Sequence, residues 1–167
     1  MVFMKDVIVL NRDRAPHFVP ELSTAVISIH TPGDNSPNFP RDVFERVLEL
    51  EFSDVNRSQY MKHHENLPAH RMVCFKKKDA DKILDFVNDC LTHDIEGFLV
   101  HCDAGISRSP AVALAIREIY MLKRDIPRRW DLYNKTVYYE IMMAYHDRLS
   151  DGDWPSGLIP PIVGLVF

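Results

Sequence analysis

The sequence predicts an α/β domain: a central, mostly parallel sheet of four to five strands with helices on both faces. Three observations predict it. Short apolar runs of strand length recur at residues 7–10, 25–29, 48–52 and 98–101. Helical patterns lie between and after them. Residues 98–110 pass from an apolar run through a short loop containing Gly105 into an alanine-rich stretch. Strands that alternate with helices are joined by crossovers, and crossovers give a parallel sheet with covered faces.

Three of the runs are rich in Val and Ile or nearly continuous in apolar character, as in strands buried on both faces. Leu48-Glu49-Leu50-Glu51-Phe52 alternates instead, which places it at a sheet edge. A helix is expected at 41–47, because Pro40 is a favoured first-turn residue. Residues 81–91 put Ile83, Phe86, Val87 and Cys90 on one face, with Asp79 as the expected cap. Residues 109–123 are mostly apolar and read as a central, buried helix. Residues 135–149 repeat apolar side chains at Val137, Ile141, Met142 and Tyr145, and Asn134 is the expected cap. There is no internal repeat and no low-complexity segment. Residues 1–150 are expected to form one domain, with 151–167 a tail that packs on it through Trp154 and its apolar end.

The chain has 167 residues, 46% apolar and 26% charged, enough to bury a core without staples. A net charge of -4 and a pI near 6.0 argue against a nucleic-acid partner, which leaves a basic footprint. An anionic substrate needs only one local positive pocket. The three cysteines, Cys74, Cys90 and Cys102, fit neither a disulfide framework nor a metal knuckle, so a reducing, cytoplasmic setting is expected. The N-terminal apolar stretch is too short for a signal peptide. No run approaches the ~20 apolar residues of a membrane span, so no membrane partner is expected.

In open parallel sheets, ligands bind beyond the carboxyl ends of the strands. The loops at 11–14, 30–34, 53–57 and 102–108 are therefore expected to gather at one edge. The last has the most chemistry. A loop that leads into a helix N-terminus aims backbone N–H groups at one point and makes an anion site. Gly105 lets the backbone fold tightly, and the planar fork of Arg108 can hold two oxygens of a phosphate. Cys102 sits where the same positive field favours a thiolate.

His101-Cys102, Gly105, Arg108 and Ser109 match the signature of the protein tyrosine phosphatase superfamily. The run Ala104-Gly105-Ile106-Ser107-Arg108-Ser109 resembles its dual-specificity branch. More loosely, residues 7–149 resemble small bacterial and phage-type phosphatases of this kind. Ser28-Ile29-His30-Thr31-Pro32-Gly33 and Leu50-Glu51-Phe52-Ser53-Asp54 echo their patterns.

The resemblance implies a phosphatase-type phosphate-binding loop made by Asp103, Ala104, Gly105, Ile106, Ser107 and Arg108. It implies attack on phosphorus by Cys102, a phosphocysteine intermediate, and help from Ser109 as the sulfur departs. His101 would support the loop from behind. Asp54, at a strand end on the active edge, is the expected general acid, with Asp34 and Glu65 as rivals. No metal and no organic cofactor is required. The implied substrate is a phosphorylated protein, with phosphotyrosine favoured and phosphoserine or phosphothreonine admitted. Asp103, where a lysine would meet extra phosphates, disfavours multiply charged head groups. An inactive phosphate-binding module, an RNA or lipid phosphatase, and a sulfur-transfer or arsenate-handling enzyme are the alternatives.

Other residues have plainer expectations. Cys74 and Cys90 read as small buried hydrophobes. Residues 55–71, with His63, His64 and His70, read as a polar lid over the site rather than a metal site. Arg12 and Arg14 are either solvated or substrate contacts, and Lys76-Lys77-Lys78 is a solvated approach to a helix.

Overall fold

A computed structural model describes residues 2–63, 72–120 and 127–155. Its strands are β1 (Asp6–Asn11), β2 (Thr24–His30), β3 (Val47–Glu51) and β4 (Gly97–Cys102). They form one four-stranded sheet in the order β1-β4-β2-β3, with every pairing parallel. The helices are α1 (Arg57–His63), α2 (Lys77–Thr92), α3 (Arg108–Tyr120) and α4 (Lys135–Ser150). β4, apolar in all but its last two residues, is central and fully buried. The alternating segment forms the edge strand β3, as its pattern requires.

Successive side chains of a strand point to opposite faces, so each strand feeds two cores. On one face Val7, Val9, Ala25, Ile27, Phe98 and Val100 pack with the buried sides of α2, α3 and α4. On the other, Val26 and Leu99 meet Ala15, Phe39 and Phe44. Here the structure departs from the expected helices on both faces. Among the described residues this second face is covered by a 3-10 turn at Ala15–His17 and by irregular chain at 31–46.

The helix expected at 41–47 is likewise a single turn. The amides of Val43 and Phe44 both donate to the carbonyl of Pro40, at 3.1 and 2.9 Å, and β3 begins at Val47. Pro32, Pro37 and Pro40 interrupt any helix on this crossover. The turn delivers Phe44, which is fully buried, edge-on to Phe39 at 5.7 Å between ring centroids. Tertiary packing overrides local propensity there.

Helix starts are set by side-chain caps. Asn134 accepts from the amide of Val137 at 3.2 Å, as expected of an N-cap. Asp79 is not the cap of α2. It lies inside the first turn and accepts from the amide of Lys76 at 3.0 Å, so the helix starts earlier than its apolar pattern. α1 is opened by a reciprocal pair: the amide of Gln59 donates to Asn56 Oδ1 at 2.8 Å, and the amide of Asn56 to Gln59 Oε1 at 3.0 Å. The expected lid therefore begins as a capped helical turn. His64, Glu65 and His70, and the side chain of His63, lie outside the described residues.

Trp154 packs against Tyr145 and Tyr120, at 4.7 and 5.7 Å between centroids, which ties the described start of the tail to α3 and α4. The tail from 156 onward lies outside the described residues. No helix among the described residues is long and apolar enough to cross a membrane.

Candidate active site

Parallel pairing sends the carboxyl ends of all four strands to one edge, and the following loops meet there. The loop after β4 turns sharply into α3. Gly105 has φ +71°, and a Cβ on it would lie 3.0 Å from the amide nitrogen of Asn11 and from the carbonyl of Leu10. Only glycine satisfies both the left-handed backbone and that contact with β1. Three bonds fix the loop: Arg12 N–H to the Asp103 carbonyl at 3.1 Å, Asn134 N–H to the Ser107 carbonyl at 3.0 Å, and Ala111 N–H to the same carbonyl at 3.3 Å. The amides of Ala104, Gly105, Ile106 and Ser107 donate to no protein acceptor among the described residues. Four N–H groups therefore stand ready beside the N-terminus of α3.

Cys102 ends β4 and is 3% exposed. Its Sγ lies 3.1 Å from Oγ of Ser109, which is buried in the first turn of α3. Behind them His101 is fully buried. Its Nε2 is 2.6 Å from Ser28 Oγ and its Nδ1 3.4 Å from the Cys102 carbonyl. Nδ1–H donating to the carbonyl while Nε2 accepts from the serine satisfies both contacts with a neutral ring. Burial pushes the His101 pKa down to about 4, against the opposing pull of that carbonyl and of Asp103.

Arg108 is 4% exposed. Its Nη1 donates to the Phe52 carbonyl at 2.9 Å and to Thr31 Oγ1 at 3.1 Å, and its Nη2 to Asp103 Oδ2 at 2.6 Å. Its Nε has no hydrogen-bond partner among the described residues. Thr31 Oγ1 also donates to Asp103 Oδ2 at 2.8 Å, and Arg12 Nη1 lies 3.7 Å from Asp103 Oδ1. Partial burial would raise the pKa of Asp103, but Thr31, Arg108 and Arg12 outweigh it and hold the carboxyl below its ordinary value.

Asp54 is exposed, just past β3, and faces this loop. Its Oδ1 accepts from Ser107 Oγ at 2.7 Å and from Asn134 Nδ2 at 3.0 Å. Asp54, Ser107 and Asn134 line a cleft of about 810 Å³, with Gln59, Leu132 and Tyr133 on its other walls.

No family model matches the chain, and no curated protein matches it. Among solved structures it is similar to Tk-PTP in the active form, at 14% identity and a TM-score of 0.46, over 87% of this chain and 90% of that one. It is also similar to the human tyrosine phosphatase-like serine/threonine/tyrosine-interacting protein, at 18% identity and a TM-score of 0.45, over 86% and 93%.

The structure thus gathers Cys102, Arg108, Ser109, His101 and Asp54 at one strand edge. Arg12 joins them through Asp103, whereas Arg14 is exposed and bonds through its amide to Asn11 Oδ1 at 3.0 Å. The rival acid Asp34 is 3.9 Å from Arg12. Cys74 and Cys90 are buried and in no disulfide among the described residues, and burial raises the Cys90 thiol to about 12. Sequence reasoning missed two members of the cluster. The sequence places Thr31 in the loop at 30–34 and in a strand pattern without a role of its own, and Asn134 only as a cap. No local signal marks either, since their partners are distant in the chain.

Proposed function

We propose that the chain is a cysteine-dependent protein phosphatase. It hydrolyses phosphotyrosine, and also phosphoserine or phosphothreonine, through a phosphocysteine on Cys102. One observation carries this reading: the Cys102 sulfur, 3.1 Å from Ser109 Oγ, lies under a loop whose amides at 104–107 have no acceptor among the described residues and whose far end is Arg108. A phosphoryl group seated on those amides presents its phosphorus to the sulfur.

Chemistry follows in two balanced steps. The Cys102 thiolate bonds to phosphorus as the ester P–O bond breaks, and Asp54 gives its proton to the departing oxygen. Water then attacks the phosphocysteine while Asp54 takes back a proton. The P–S bond breaks, inorganic phosphate leaves, and Ser109 Oγ–H stabilises the returning thiolate. Arg108 grips the phosphoryl oxygens with its Nε, which has no partner among the described residues, and with Nη2 once Asp103 yields it. His101 stays neutral and holds the loop from behind.

The cleft beside Asp54 supports a protein substrate, because it has room for the chain flanking a phosphorylated residue. Ile106 and Leu132, apolar and exposed, offer further contact. Three cysteines whose spacing fits no disulfide framework suit a reducing compartment such as the cytoplasm.

The test is turnover of a chromogenic aryl phosphate by the wild type, with Cys102→Ser and Arg108→Ala alongside. Turnover that disappears in both variants is expected. No wild-type turnover, combined with tight phosphate or vanadate binding, would mark a phosphate-binding module instead.

A further inference from the structure

We propose that Asn134 is a positioning residue which, with Ser107, fixes the oxygen of Asp54 that carries the proton. This rests on Asp54 being the general acid. Every polar atom of Asn134, which is 8% exposed, has a defined task. Its backbone N–H bonds the Ser107 carbonyl at 3.0 Å, and its Oδ1 accepts from Val137 at the start of α4 at 3.2 Å. Its Nδ2 donates to Asp54 Oδ1 at 3.0 Å and to the Val55 carbonyl at 3.2 Å. The amide cannot flip without setting its oxygen against two acceptors and its nitrogen against a donor.

Ser107 Oγ–H donates to the same Asp54 Oδ1 at 2.7 Å. Two donors thus converge on Oδ1, and Oδ2 is the oxygen left to bear the hydrogen of the neutral acid. In the first step the Oδ2–H bond breaks toward the leaving oxygen. The electron pair stays on the carboxylate, where the two Oδ1 bonds strengthen as charge develops. In the second step Oδ2 recovers a proton from water. Asn134 also joins the start of α4, the loop carbonyl at Ser107 and the Asp54 segment in one contact set. The acid and the anion loop therefore keep a fixed separation, on which proton transfer depends.

The test uses Asn134→Ser, because serine caps helices as well as asparagine does but lacks the amide donor. Steady-state kinetics are measured on a phosphotyrosine peptide and on aryl phosphates of graded leaving-group acidity, with Asp54→Asn and the double variant in parallel. Asn134→Ser is expected to stay folded, with only a small loss of melting temperature, and to keep the wild-type KM. Its kcat on the peptide should fall roughly 10- to 100-fold, a part of the whole general-acid effect. The loss should vanish for the most acidic leaving groups and in the Asp54→Asn background. Asn134→Asp keeps the cap but sets a second carboxylate against Asp54, so the alkaline limb of its kcat profile should move to higher pH. A uniform loss across leaving groups, no loss on the peptide, or an unmoved limb overturns the positioning role. If Asp54→Asn itself shows no leaving-group-dependent loss, the general-acid assignment fails instead.

Discussion

Arg108 and Asp103 hold each other across the loop through one 2.6 Å contact between Nη2 and Oδ2. The guanidinium that would grip a phosphoryl group is thus already shared with a carboxylate of its own loop. Thr31 and Arg12 hold that carboxylate in place, at 2.8 and 3.7 Å.

A bound anion must therefore displace Asp103 or share the guanidinium with it. Asp103→Asn keeps the shape and removes the competing charge. Inhibition by inorganic phosphate or vanadate is expected to tighten roughly threefold to tenfold, a modest effect because Asp103 is partly solvated. Competitive inhibition constants check it. Weaker binding would mean that Asp103 instead orients Arg108 for the substrate.

Acid should destabilise the fold through His101. Its pKa is depressed from 6.5 to about 4 in the folded chain, so the neutral ring is favoured by folding. A depressed pKa contributes stability that is full above 6.5 and is lost as pH falls toward 4. At about 1.4 kcal/mol per pKa unit the loss reaches about 3 kcal/mol. Urea unfolding between pH 7 and pH 4 measures it. The slope should flatten in His101→Gln, once the weaker baseline of that variant is subtracted.

Two glycines with positive φ should answer differently to alanine. Gly105→Ala drives a Cβ to 3.0 Å from β1 backbone, and Gly33→Ala, at φ +89°, meets nothing within 4 Å among the described residues. Gly33→Ala is expected to cost about 1 kcal/mol, from backbone conformation alone. Gly105→Ala should cost about 2–4 kcal/mol and remove activity, because the loop must shift to admit the methyl. Denaturation midpoints and aryl phosphate turnover distinguish them, and equal effects at the two positions would contradict the tight packing of the loop on β1.

Asp54→Ala is expected to lower kcat on phosphotyrosine peptide by about 10²–10⁴. The loss should shrink on substrates whose leaving group needs no proton. A wild-type rate on the peptide would move the acid role elsewhere.

The sheet, the order of its edge strand and the β4-loop-α3 turn were legible because each is written locally: apolar runs of strand length, one alternating run, and a compact string from His101 to Ser109. The paired cap of α1 was equally local, in Asn56 and Gln59, yet it was hidden by the polar character of its surroundings. The covering of the second sheet face was not legible. Phe39 and Phe44 act there from irregular chain around one turn, and only their contacts with Val26 and Leu99 reveal the role. The same holds within the site. Thr31 meets Asp103 and Asn134 meets Asp54 across 72 and 80 positions of chain, distances over which composition and spacing give no information. Asp103 read as an electrostatic filter. Its ion pair with Arg108 follows from loop geometry that residue types alone do not specify.

The most direct measurement is to quench the protein with acid during incubation with a phosphotyrosine peptide and map any phosphoryl adduct by mass spectrometry. A phosphoryl group is expected on the proteolytic fragment that contains Cys102, at higher occupancy in variants slowed in the second step, and none in Cys102→Ser. Turnover with no adduct on Cys102, or turnover that survives in Cys102→Ser, would contradict a phosphocysteine at that position.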